Sequence, residues 1–109
     1  MLFLIIHLTK QEYQADVLTA LAEVGLTEAV VLNGTSSKRM IALDVPIFAG
    51  LRTEFGRESA YCKMITASIE DVGVVDEFLA ALKEAGIDFV KDGLGSILVL
   101  PVEKFVGEE

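Results

Sequence analysis

The sequence predicts an α+β domain in which a four-stranded antiparallel sheet carries two helices on one face. Three observations predict it. Strand-like and helix-like patterns follow one another as strand, helix, strand, long insertion, strand, helix, strand. The first segment, Leu2-Phe3-Leu4-Ile5-Ile6-His7-Leu8, is apolar on both of its alternating faces, as expected where one side of a sheet meets helices and the other meets more protein. The two strand–helix halves also echo each other, Glu23-Val24-Gly25 closing the first helix and Glu84-Ala85-Gly86 the second.

Residues 1–109 read as a single domain, large enough to bury roughly two thirds of the surface an unfolded chain exposes. With 52% hydrophobic and 24% charged residues the chain is a folded one, and its apolar surplus points to a second buried surface. Seventeen acidic against nine basic side chains give a net charge of −8, a field that repels phosphate backbones and anionic headgroups, so nucleic acid is not an expected partner. The single Cys62 has no internal disulfide partner, which fits a reducing cytoplasm, the expected location. The apolar opening lacks the charged start and small-residue cleavage site of a secretory signal and is too short to span a bilayer, so it reads as a strand.

After that strand, Thr9-Lys10-Gln11-Glu12 has the form of a capping box, with the Thr9 hydroxyl on the Glu12 amide and the Glu12 carboxylate returning to the Thr9 amide. Tyr13, Val17, Ala20, Leu21 and Val24 then recur at helical spacing, and Gly25 supplies the left-handed C-terminal position. Thr27 to Leu32 is β-branched and apolar and reads as the second strand, closed by the turn signal Asn33-Gly34.

The insertion between the second and third strands, residues 35–59, is long for a compact domain, and such connections are often functional. Met40 to Leu43 has the pattern of further strand pairing. Asp44 to Gly56 resembles a short helix, with Pro46 early, Asp44 as its cap and Ile47, Phe48 and Leu51 on one face. The insertion also holds Lys38, Arg39, Arg52 and Arg57, four of the nine basic residues. Ala60 to Ile69 alternates as a third strand, with Lys63 falling among its apolar set. Glu70-Asp71 places negative charge at the next helix start; Val74, Val75, Phe78, Leu79 and Leu82 form that helix's apolar stripe. Ile87 to Lys91 reads as a connector, and Asp92 to Val106 as the last strand, entered through Gly93-Leu94-Gly95. Together these elements make the split βαβ, or ferredoxin-like, βαββαβ arrangement.

Catalytic constellations are thin. His7 and Cys62 both fall within strands, where structural burial accounts for them, and no enzymatic activity is expected. Gly93-Leu94-Gly95 is not a dinucleotide fingerprint, because a third glycine is missing and a strand follows in place of a helix. Helices on one face leave the sheet's other face open, lined by residues such as Leu98, Leu100 and Val102 or their alternates. A monomer exposing that patch would be prone to aggregate, so a homo-oligomer is expected.

The run Leu18 to Val31, LTALAEVGLTEAVV, together with DGLGSILVLPVEKFVG from Asp92 to Gly107, resembles the PII-like superfamily of trimeric signalling proteins. The likeness covers both ends of the chain and little of the middle. It implies a ferredoxin-like homotrimer with sheets packed inward and adenine nucleotides held in clefts between subunits. One side of each cleft would carry Gly93, Gly95 and Ser96, with Ser36, Ser37, Lys38 and Arg39 across from them. Ser96 stands where the family has a phosphate-binding lysine, Leu94 replaces an aspartate, and the arginines after the last strand have no counterpart in Lys104-Phe105-Val106-Gly107-Glu108-Glu109. Losing such donors removes about 1.5–3 kcal/mol per charge-assisted bond, so sensing of ATP and 2-oxoglutarate in the manner of that family is not expected. The resemblance implies a small regulatory protein that binds a small molecule or nucleotide and acts through a partner such as a membrane transporter or an enzyme; it names no cofactor. The alternatives are a trimer like the CutA branch of the same fold, with acidic residues on a divalent metal, and a ferredoxin-like enzyme.

Overall fold

The computed structural model describes residues 1–37, 40–41 and 61–108. Their elements are β1 (Leu2–Leu8), a 3-10 turn (Gln11–Tyr13), α1 (Gln14–Glu23), β2 (Val30–Thr35), β3 (Tyr61–Ile69), α2 (Gly73–Glu84) and β4 (Gly95–Pro101). The four strands form one sheet in the order β2-β3-β1-β4, every neighbouring pair antiparallel. Since β1 and β2 both run against β3, they are parallel to each other with one strand between them, and β3 and β4 stand in the same relation across β1. Two interleaved βαβ units result, the ferredoxin-like fold expected from the element order.

The register divides the strand residues into two faces. Leu4, Ile6 and Leu8 of β1 point to the helices with Ile65 and Ile69 of β3, and all five are buried. Against them α1 packs Val17, Ala20 and Leu21, and α2 packs Phe78 and Leu82. Each such side chain taken fully out of water contributes about 1.5–3 kcal/mol, so this layer is the main source of stability.

The two helices end alike. Gly25 and Gly86 have φ of +90° and +83°. In each case the next amide reaches back five residues, Leu26 to the Leu21 carbonyl and Ile87 to the Leu82 carbonyl, both at 2.9 Å. This is a Schellman closure, and it gives the sequence echo of the two halves its physical content.

Three expectations are corrected. The capping box does not form: the Thr9 hydroxyl donates to the Leu94 carbonyl at 3.1 Å, the Thr9 amide donates to the same oxygen at 2.8 Å, and the helix is entered without a side-chain cap. A distant carbonyl has taken the donor that the local pattern assigned to the cap. β2 begins at Val30, later than Thr27, and runs through Asn33-Gly34 to Thr35, because those residues pair with Lys63, Cys62 and Tyr61 of β3; partner strand has overridden turn preference. Met40 bonds back to the Ser36 carbonyl at 3.3 Å and is helical with Ile41, so these two do not extend strand pairing. The connector from Ile87 to Lys91 is present as expected and also adds to the core: Ile87 and Phe89 are buried, and Phe89 meets Phe78 edge-on with ring centroids 6.4 Å apart. The short helix expected from Asp44 to Gly56 lies outside the described residues.

The Thr9 geometry makes a direct prediction. Thr9→Val should lower stability by about 1 kcal/mol through loss of the hydroxyl donor. Glu12→Ala should stay within about 0.5 kcal/mol of the parent, as a surface change without a partner does. Urea denaturation of both variants checks this; an equal loss in the two would restore the capping box.

Candidate functional site

The glycine turn is built by residues on both sides of it. Asp88 accepts the Lys91 amide on Oδ1 at 3.0 Å, and Asp92 Oδ2 accepts the Asp88 amide at 2.8 Å. The bond from the Lys91 amide does most to hold the Asp88 carboxyl below its ordinary value, and the Lys83 ammonium adds to the effect. Its contribution to folding is therefore present above the usual carboxylate range and lost as the pH falls below it. Gly93 has φ +66° and Gly95 φ +149°. Between them Leu94 is fully buried, its carbonyl receiving Thr9 and its side chain closing one end of the core. Leu94 is thus a residue that the core demands.

Lys10 completes this turn and was not among the residues singled out from the sequence. Its Nζ donates to the Asp92 carbonyl at 2.6 Å and lies 3.8 Å from where a Cβ on Gly93 would stand. No short-range pattern links positions 82 apart, so only the β1–β4 pairing exposes the role.

Of the residues expected in the cleft, Gly93, Gly95 and Ser96 sit together at the start of β4, and Ser36 and Ser37 follow the end of β2. Lys38 and Arg39 lie outside the described residues. Both groups are at the same end of the sheet, since Leu8 at the end of β1 pairs with both Gly95 and Lys63. They are nonetheless on opposite edges. Two strands, β3 and β1, separate them, which at an inter-strand spacing of about 4.8 Å amounts to roughly 14 Å. Within one chain they do not form a single cleft. Near the β2 edge a shallow depression is lined by Gln11, Asn33, Gly34, Thr35, Cys62 and Lys63, with the Lys63 ammonium donating to Asn33 Oδ1.

The sheet face away from the helices presents a continuous set of strand side chains. Three rows cross it: Leu32, Met64, His7 and Ser96; then Val30, Thr66, Ile5 and Leu98; then Ser68, Phe3 and Leu100. Val30 is 53% exposed, Leu32 50%, Leu98 46% and Leu100 44%. No Asp, Glu, Lys or Arg from a described strand residue points out of this face, although the chain as a whole carries −8. Val102, expected on the same surface, follows the last strand residue and is half-buried.

Among the described residues no group of three or more His, Cys, Asp or Glu side chains is placed to hold a metal ion, and no helix is long and apolar enough to cross a membrane. Among the described residues the fold and this surface define a two-layer α+β domain with an exposed, largely apolar second sheet face. Neither the known family models nor the curated proteins contain a match to the chain.

Proposed function

We propose that this protein is a small cytoplasmic regulatory subunit of the PII-like kind. It is a homotrimer with the open sheet faces turned inward, holding a small anionic ligand of the adenine nucleotide class between subunits and acting through a partner transporter or enzyme. The observation that carries this proposal is the division of the candidate cleft. Ser36 and Ser37 lie at one edge of the sheet and Gly93, Gly95 and Ser96 at the other, at the same end, so the two halves meet only when a second copy brings its opposite edge alongside. The uncharged apolar face supports the same assembly, being the surface on which copies of a chain of charge −8 can approach without setting carboxylate against carboxylate. Lys10, beside the glycine turn, supplies a cation to a site that lacks the family's lysine.

Thermal denaturation with AMP, ADP and ATP tests the ligand. A nucleotide at a hundred times its Kd is expected to raise stability by about 2.7 kcal/mol, with AMP shifting the melt at least as far as ATP because donors to a triphosphate are missing. A melt unmoved by all three at millimolar concentration would overturn the nucleotide assignment.

A further inference from the structure

We infer that the depression beside β2 is a binding site for a small organic acid carrying a single carboxylate, with the Lys63 ammonium as its anchor. The site is complete within one chain, so it stands apart from the trimer proposed above.

Lys63 falls among the core-facing residues of β3. It alternates with Ile65 and Ile69 on the side that meets the helices, and it pairs with Leu8, which like Ile65 is buried. Its own side chain is half-buried. A lysine in such a row lays its stem along the apolar layer and holds its ammonium at the layer's edge. On the edge strand it pairs with Asn33, and the ammonium donates to Asn33 Oδ1, a neutral oxygen. No Asp or Glu among the described residues lines the depression around it, although the chain carries seventeen.

The depression has a volume of about 460 Å³, within the range of small-molecule sites. Beside Lys63 it is lined by Gln11, Asn33, Gly34, Thr35 and Cys62. Gln11, Asn33 and Thr35 can each donate as well as accept a hydrogen bond. Turning the Asn33 amide over puts its Nδ2 hydrogens where Oδ1 now stands. An incoming carboxylate can then take the ammonium from Asn33 and accept from the amide besides. The exchange is favourable because a bond between ammonium and carboxylate is about twice as strong as one between neutral groups.

Charge selects the class of ligand. One ammonium offsets one negative charge, and no second Lys or Arg among the described residues lines the depression. A phosphate dianion would bring an uncompensated charge into the field of a chain of net charge −8. A monocarboxylate is therefore preferred to a phosphate, and the uncharged remainder of the wall suits a small apolar body.

Amide chemical shifts of the full chain test this, followed by NMR near pH 8 during titration with sodium benzoate, inorganic phosphate and sodium chloride at matched ionic strength. Benzoate is expected to give saturable shifts at Asn33, Gly34, Thr35 and Lys63, phosphate weaker ones and chloride none. Lys63→Met should weaken benzoate binding about tenfold or more through loss of a charge-assisted bond. Asn33→Asp should do the same with Lys63 in place, because a fixed carboxylate then occupies the ammonium. Either variant suffices, so a folding defect in one leaves the comparison intact. Shifts that do not saturate, or that chloride reproduces, overturn the site. Phosphate binding as tightly as benzoate overturns the monocarboxylate assignment. Benzoate binding unchanged in either folded variant overturns the role of Lys63.

Discussion

Gly95→Ala is expected to cost about 3 kcal/mol or more, and to be the most damaging addition of a single methyl group considered for this chain. A Cβ at Gly95 would lie 1.8 Å from the His7 carbonyl oxygen and 2.9 Å from its carbon, both backbone atoms of the central strand. Nothing in that pair can rotate aside, so the β1–β4 ladder must part where Leu8 pairs with Gly95. Gly86→Ala is the control. Its φ of +83° is strained for alanine, yet nothing lies within 4 Å of the new atom, so its cost is about 1–2 kcal/mol. Urea denaturation of the two variants should separate them by more than 1 kcal/mol. Equal midpoints would mean that the turn yields without disturbing the ladder.

Leu98→Glu is expected to leave the single chain folded and to abolish the proposed assembly. Leu98 is 46% exposed on the open face, opposite Ile5, so a glutamate there disturbs little of the helix-side core, and the unfolding free energy of the monomer should change by about 0.5 kcal/mol. In the proposed trimer three carboxylates would enter a covered surface on which no described strand residue is a Lys or Arg, a burden of several kcal/mol per uncompensated ion. Light scattering reads the result. A variant that keeps the wild-type mass would show that the copies, if joined, meet elsewhere.

Much of the fold was legible because its signals are periodic. The alternation from Ala60 to Ile69 and the stripes of Val17 and Leu21 and of Phe78 and Leu82 are repeated patterns, and each repetition strengthens the same inference. What escaped was settled by distant partners. Thr9 carries the local form of a cap, but its hydroxyl goes to Leu94, 85 residues away. Asn33-Gly34 has the composition of a turn, but β3 offers both residues a ladder. Leu94 looked like a lapse in a binding turn and proves to be a core residue. The candidate site followed the same division. Its glycines were visible as glycines, while Lys10, and the placement of the two half-clefts on opposite sheet edges, depend on strand order, which no local pattern encodes.

All of the functional proposal hangs on whether a second and third copy cover the sheet. Sedimentation equilibrium of the wild-type chain at micromolar concentration near pH 8 decides this most directly. A single species of three chain masses is the predicted result, and a monomer across that range would contradict the account.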